Sequence, residues 1–144
     1  MAISLDWNIK GLSKDGVKRG DYCEAIAMEW IRSRWPHSQI LDTRVGPHGI
    51  DFAVLLPNTM DGRLLVIVEV KAAKSRLSKA KGNTPAQMSE QWILERVRKH
   101  QKLRSEAAKC TYAFKEIIRV NPEIKKNSLM KHTGEKIDLS EFKE

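Results

Sequence analysis

Cysteine is scarce in this chain of 144 residues: Cys23 and Cys110 stand far apart and form no CxxC pair. That spacing excludes a zinc ribbon and a disulfide scaffold, and both residues are expected as buried thiols in a reducing compartment. Long apolar runs are missing too. No window approaches the ~18 consecutive apolar residues of a membrane-spanning helix, so no membrane association is expected. The opening residues MAISLDWNIKGLSKDG lack the charged-then-apolar layout of a secretory signal, which points to a cytoplasmic protein or one exported by another route. The four histidines, His37, His48, His100 and His132, share no metal-ligand spacing, leaving zinc hydrolysis unsupported. KGNTP lacks the ending of a phosphate-binding loop, and no GxSxG or Cys–His nucleophile pattern occurs. Repeats, low-complexity tracts and long linkers are also absent, so one domain is expected over 1–144, with its core at about 20–120 and a weakly marked tail at 121–144.

What the chain has in excess is positive charge. A formal net charge of +8 favours a polyanionic partner, because basic surfaces attract phosphate backbones through counterion release. Lys71, Lys74, Arg76, Lys79 and Lys81 crowd one segment, and Arg96, Arg98, Lys99, Lys102 and Arg104 follow in a helical pattern. Charge alone is equally compatible with a solvated face.

Cys23, Ile26, Ala27, Trp30 and Ile31 recur at helical spacing and predict a helix over 21–35, stopped by Pro36, with Asp21 and Glu24 as its capping box. SQILDTRV, the breaker GPHG, IDFAVLLP, the turn NTMDGR and LLVIVEVKA predict three strands in a meander. From Pro85 one long amphipathic helix is expected through Lys109, with Ile93, Val97, Gln101, Arg104 and Ala108 near one stripe. In the tail, EIIRV and NSLMKH suggest strands, with HTGE as a turn before KIDL. The four tryptophans, Trp7, Trp30, Trp35 and Trp92, are expected in the core rather than stacked on bases.

The chemistry concentrates at the end of LLVIVEVKAAKS, where an apolar strand admits Glu69 and Lys71 on one face. If the preceding hairpin is symmetric, Leu56 faces Leu64 and Asp51 faces Glu69, with β-carbons roughly 4.5–5.5 Å apart. Two carboxylates at that distance repel unless a cation lies between them. Mg2+, or Mn2+, suits an oxygen donor set of Asp51, Glu69 and the Val70 carbonyl, with Glu24 as a further carboxylate. Lys71 then orients or activates the attacking water. The plain alternative is a surface ion pair at a fraying strand end, and for Glu24 a helix cap.

GPHGIDFAVLLP followed by LLVIVEVKAAKS resembles the core of the PD-(D/E)xK nuclease superfamily, Asp51 matching its aspartate and Glu69 and Lys71 its ExK. LSKAKGNTPAQMSEQWI resembles the segment that follows this core in nuclease domains of bacterial polymorphic and contact-dependent growth-inhibition toxins. The likeness covers about residues 20–95. It implies a restriction-endonuclease-like α/β core, a central mixed sheet flanked by helices, and metal-dependent hydrolysis of phosphodiester bonds in DNA or RNA, tRNA included. It also implies a glutamate on the first core helix, matched by Glu24, and a glutamine after ExK, matched by Gln87. His48 stands where a proline often precedes the aspartate in that superfamily. Lys74, Arg76, His48 and Gln87 are the expected substrate contacts, whereas Gln91 is expected as polar helix surface. A toxin domain acts in a target-cell cytoplasm and implies an immunity protein; a free-standing nuclease stays equally open. A non-catalytic nucleic-acid-binding module and a subunit of a larger DNA-processing assembly are the alternatives.

Overall fold

Strand formation here follows the apolar runs, and helix formation the residues on either side of them. The computed structural model of the chain describes residues 16–41, 43, 50–72, 76–121 and 129–143. Among these, β1 (Gln39–Leu41), β2 (Phe52–Thr59), β3 (Gly62–Ala72), β4 (Tyr112–Val120) and β5 (Leu129–Ile137) form one sheet in that order. With α1 (Gly16–Arg34), α2 (Glu90–Arg98) and α3 (Gln101–Lys109) they make an α/β architecture, the expected class. No helix among the described residues is long and apolar enough to cross a membrane.

Antiparallel pairing joins β1 to β2 and β2 to β3, and Leu56 faces Leu64 as hairpin symmetry predicts. The turn is tighter than NTMDGR suggested: Thr59 faces Gly62, leaving Met60 and Asp61 as the loop. Gly62 sits at φ +92°, and a Cβ there would collide with the Thr111 side chain. Pro57 lies inside β2 at an irregularity between Leu56 and Thr59, beyond the stretch paired with β1, where its missing N–H breaks no ladder. The Thr111 N–H donates to the Arg63 carbonyl at 2.7 Å. The starts of β3 and β4 therefore lie side by side, so these neighbours run parallel in a mixed sheet.

Two compact units are distinguished: Met1–His37, Val70–Arg76 and Ile117–Thr133 in one, Ser38–Glu69, Leu77–Glu116 and Gly134–Glu144 in the other. In the first, Cys23, Ile26, Ala27, Trp30 and Ile31 of α1 are buried, as are Ile118 and Val120 of β4. The Cys23 thiol points to the Val120 carbonyl at 3.9 Å. The second buries Phe52 to Leu56, Leu65 to Val68, Trp92, Ile93, Val97, Leu103 and Ala107. Burial pushes the Cys110 thiol up, so both cysteines are sequestered thiols, as expected.

Several expectations need correction. Helix α1 begins at Gly16, so Asp21 and Glu24 lie inside it and form no capping box. The first strand is described over Gln39–Leu41, while Asp42, Arg44 and Val45 of its expected range lie outside the described residues. The long helix from Pro85 is two helices: His100 is extended at φ −119°, and its Nδ1 accepts from the Leu103 N–H, replacing a lost helical bond. The buried face moves accordingly, to Trp92, Ile93 and Val97 in α2 and Leu103, Glu106 and Ala107 in α3, leaving Gln101 and Arg104 exposed. HTGE is not a turn but the middle of β5. Trp30 and Trp92 are core, whereas Trp35 is half-exposed and Trp7 lies outside the described residues.

An ion pair between half-buried Arg63 and buried Glu106 fixes α3 to the beginning of β3. Arg63 Nη2 donates to Glu106 Oε2 at 2.7 Å, and Lys102 Nζ stands 3.6 Å from Oε1. Burial alone pushes the Glu106 carboxyl up, but the bonded Arg63 guanidinium, with Lys102 and Lys109, outweighs it and holds the group below its ordinary value. A carboxyl lowered in the folded state contributes stability above its unfolded pKa of about 4.3, and that contribution is lost as pH falls through the folded value. Urea unfolding from about pH 7 to about pH 3 is expected to show the loss, with a flatter profile in Glu106→Gln. Arg63→Met, which strands the carboxylate, is expected to cost about 1–3 kcal/mol at neutral pH.

Candidate active site

Glu69 is the unusual residue of β3. It lies within a run from Leu65 to Val70 that is buried throughout, and the residue is only 4% exposed. A carboxylate so placed requires compensating donors or charge. One donor is Gln87, whose Nε2 reaches Glu69 Oε1 at 2.8 Å. The same amide accepts from the Ser78 N–H at 3.0 Å through Oε1, and the Gln87 N–H donates to the Ser78 carbonyl at 2.8 Å. Gln87 thus ties Glu69 to the segment that follows β3.

The hairpin register ends at Phe52 opposite Val68. Asp51, a half-buried bend residue, immediately precedes Phe52, as Glu69 immediately follows Val68, so extending the register by one step would set the two carboxylates opposite each other. Its approach to the strand is held by Thr43, whose hydroxyl donates to the Ile50 carbonyl at 3.1 Å in a buried contact. Along β3, alternation puts Lys71, half-buried, on the same strand face as Glu69, with the buried Val70 between them.

Gln87 does not belong to the helix in which it was expected. Ser89 is the N-cap of α2, its hydroxyl accepting from the Trp92 N–H at 3.3 Å, so Gln87 precedes the helix. Between them, buried Met88 adopts φ +63°, a left-handed conformation costly for a side chain of this size. Lys115 Nζ donates to the Met88 carbonyl at 2.8 Å and stands 3.4 Å from Glu135, stabilising the turn. Gln91 is exposed, in keeping with polar helix surface.

The cations divide into two groups. Arg96 stacks on Trp92 at 4.0 Å, Arg98 pairs with Glu141 at 2.7 Å, and Lys102 pairs with Glu106, so much of the second basic segment serves the fold. Arg76, Lys79 and Lys81 are exposed. Lys81 and Thr84 exchange two backbone hydrogen bonds of 3.0 Å around Gly82 at φ +58°, a tight turn with glycine where a type II′ turn needs it. His48 and Lys74 lie outside the described residues. Glu24 is a half-buried residue within α1.

Among the described residues, no three histidine, cysteine, aspartate or glutamate side chains gather into a metal-binding group. A cation at this site would rest on Asp51, Glu69 and backbone oxygen, a small, hard donor set that fits Mg2+ and leaves positions for water and phosphate. Comparison with known proteins identifies no relative: no family model, curated protein or solved structure matches the chain. Thr43, Ser78, Met88 and Lys115 went unnoticed in the sequence, because side-chain-to-backbone bonds between distant segments leave no local pattern.

Gln87→Leu is expected to destabilise the protein by about 1–3 kcal/mol in urea unfolding, since it removes a donor from a buried carboxylate. Limited trypsin digestion should also cut faster after Lys79 and Lys81, because the substitution removes the side-chain half of the Ser78 tie.

Proposed function

We propose that this chain is a metal-dependent nuclease of the PD-(D/E)xK type, hydrolysing phosphodiester bonds in DNA or RNA. The observation carrying this reading is the β2–β3 register, which ends at Phe52 opposite Val68 and so makes Asp51 and buried Glu69 the next residues in line, with Lys71 two residues on. A burial-driven sheet has no need of a buried carboxylate with a second one next to its register position, whereas a shared cation would relieve their repulsion.

Asp51, Glu69 and the Val70 carbonyl hold Mg2+ or Mn2+, and Glu24 is the auxiliary carboxylate. When bound, the ion polarises the scissile phosphate and acidifies the attacking water. Lys71 orients that water and offsets negative charge growing on the phosphate oxygens. Gln87 keeps the Glu69 carboxylate in one orientation, and Lys74, Arg76 and His48 receive phosphates of the substrate. A toxin role, with an acidic immunity protein covering the basic segment, belongs to the same proposal.

The test is incubation of the purified protein with plasmid DNA and with total tRNA, with Mg2+ or with chelator. Cleavage is expected only with the metal, and to fall by about 100-fold or more in Asp51→Asn, Glu69→Gln and Lys71→Met. Persistence in chelator would overturn the metal mechanism. In a thermal melt, Mg2+ should raise the midpoint of the parent protein but not of Asp51→Asn, a readout independent of cleavage.

A further inference from the structure

Where β4 begins and β5 ends, the second unit holds a cavity of about 470 Å3, a size suited to a small organic ligand. Buried Ile137 and Leu139 give it an apolar lining. Tyr112 lines it too and is 40% exposed, the one aromatic ring left so open among the described residues. Two exposed cations complete the rim. Lys136 Nζ lies 4.3 Å from the centre of the Tyr112 ring, and Lys143 Nζ stands 3.5 Å from the Thr111 carbonyl oxygen.

The acidic groups of the rim hold the chain that follows β5. Glu90 Oε1 accepts from the Asp138 N–H at 3.0 Å, and Asp138 Oδ1 accepts from the Ser140 N–H at 2.8 Å. Hydrogen bonding by Ser140 holds the Asp138 carboxyl below its ordinary value, so it is anionic at neutral pH and keeps this geometry. The lysines are less engaged: an ammonium has three N–H donors, more than either contact occupies. An open ring, an apolar lining and two cations therefore meet in one cavity. A bare phosphate would use only the cations and an aliphatic chain only the lining, whereas a nucleotide uses all three, its base offering a π-face to the ring and its phosphate a charge to the lysines. A duplex keeps its bases stacked inside, so the form that fits is an unpaired base.

We propose that the cavity beside Tyr112 receives one unpaired base of a single-stranded nucleic acid, with Lys136 and Lys143 meeting the adjoining phosphates. The base site rests on the nucleic-acid partner of the nuclease reading but not on cleavage. It is tested in full-length Asp51→Asn protein with chelator present, by anisotropy of labelled single-stranded RNA and DNA oligonucleotides, and of abasic strands of the same length, over a KCl series. Adding Tyr112→Leu is expected to weaken binding of the base-bearing strands at least about fivefold, the low end of what one stacked base contributes. Binding of the abasic strand and the salt slope should match the parent's, because the substitution removes a ring and no charge. Tyr112→Phe keeps the ring and should bind like the parent. Lys136→Gln and Lys143→Gln should each reduce the slope of log K against log[salt] by about 0.7, the loss of one phosphate contact on a single strand. A check that needs no substitution at the cavity is photocross-linking of RNA carrying 5-iodouridine, expected at Tyr112 in the tryptic peptide Cys110–Lys115. Equal binding by Tyr112→Leu and its parent, an equal loss on base-bearing and abasic strands, unchanged slopes in both lysine variants, cross-links confined to other peptides, or no binding by the parent would each overturn the base site. Cleavage by the wild-type chain is scored separately. Cutting without a Tyr112 effect sinks the base site and leaves the nuclease, whereas base-dependent binding without cutting does the reverse.

Discussion

The antiparallel pairing of β2 with β3 is the constraint on which the candidate site depends. Strand side chains alternate with a period of two, so a slip by one residue would send every partner to the other face. Two features pin the register. The two-residue turn at Met60 and Asp61 leaves no slack, and Gly62 at φ +92° lies so close to Thr111 that no side chain fits. Burial of both faces of β3 from Leu65 to Val68 then penalises any alternative, since a slipped strand would bring Glu69 into an apolar position.

The same strand is uniform in its burial but not in its chemistry. Its last turn of alternation exchanges aliphatic residues for Glu69 and Lys71, and the surroundings adjust to receive them. Gln87 offers one amide to the carboxylate and to the Ser78 backbone together, and Met88 takes a left-handed conformation immediately after it. Lys115 secures that strained residue through its carbonyl. Backbone strain that persists next to a buried charge is over-determined by its neighbours, and such places are where proteins keep function at the expense of stability.

Positive charge is likewise uneven in its use. Arg63, Arg96, Arg98 and Lys102 have partners within the fold, and Arg34 is held on aromatic rings. Arg76, Lys79 and Lys81 are displayed on a segment closed by a tight turn. In the proposed nuclease these exposed cations would meet the phosphates common to DNA and RNA. Affinity would then depend strongly on salt, with sequence selectivity left to other contacts.

By itself the sequence determined the α/β class, the three-strand meander and the Leu56–Leu64 register. These follow from local rules: apolar runs, turn residues and strand alternation act over a few residues and are written in order along the chain. It also marked Glu69 as exceptional, because a charge ending an apolar strand stands out wherever the strand lies. Only the tertiary structure decided that the helix after Pro85 breaks at His100, where no proline or glycine gives warning and a side-chain cap replaces the helical bond. It likewise decided that α1 starts at Gly16, removing the capping role that competed for Glu24, that HTGE runs straight through β5, and that Gln87 bonds Glu69 from outside the helix. The Gln87–Glu69 bond joins segments 18 residues apart, and such a pairing leaves no local pattern in the sequence.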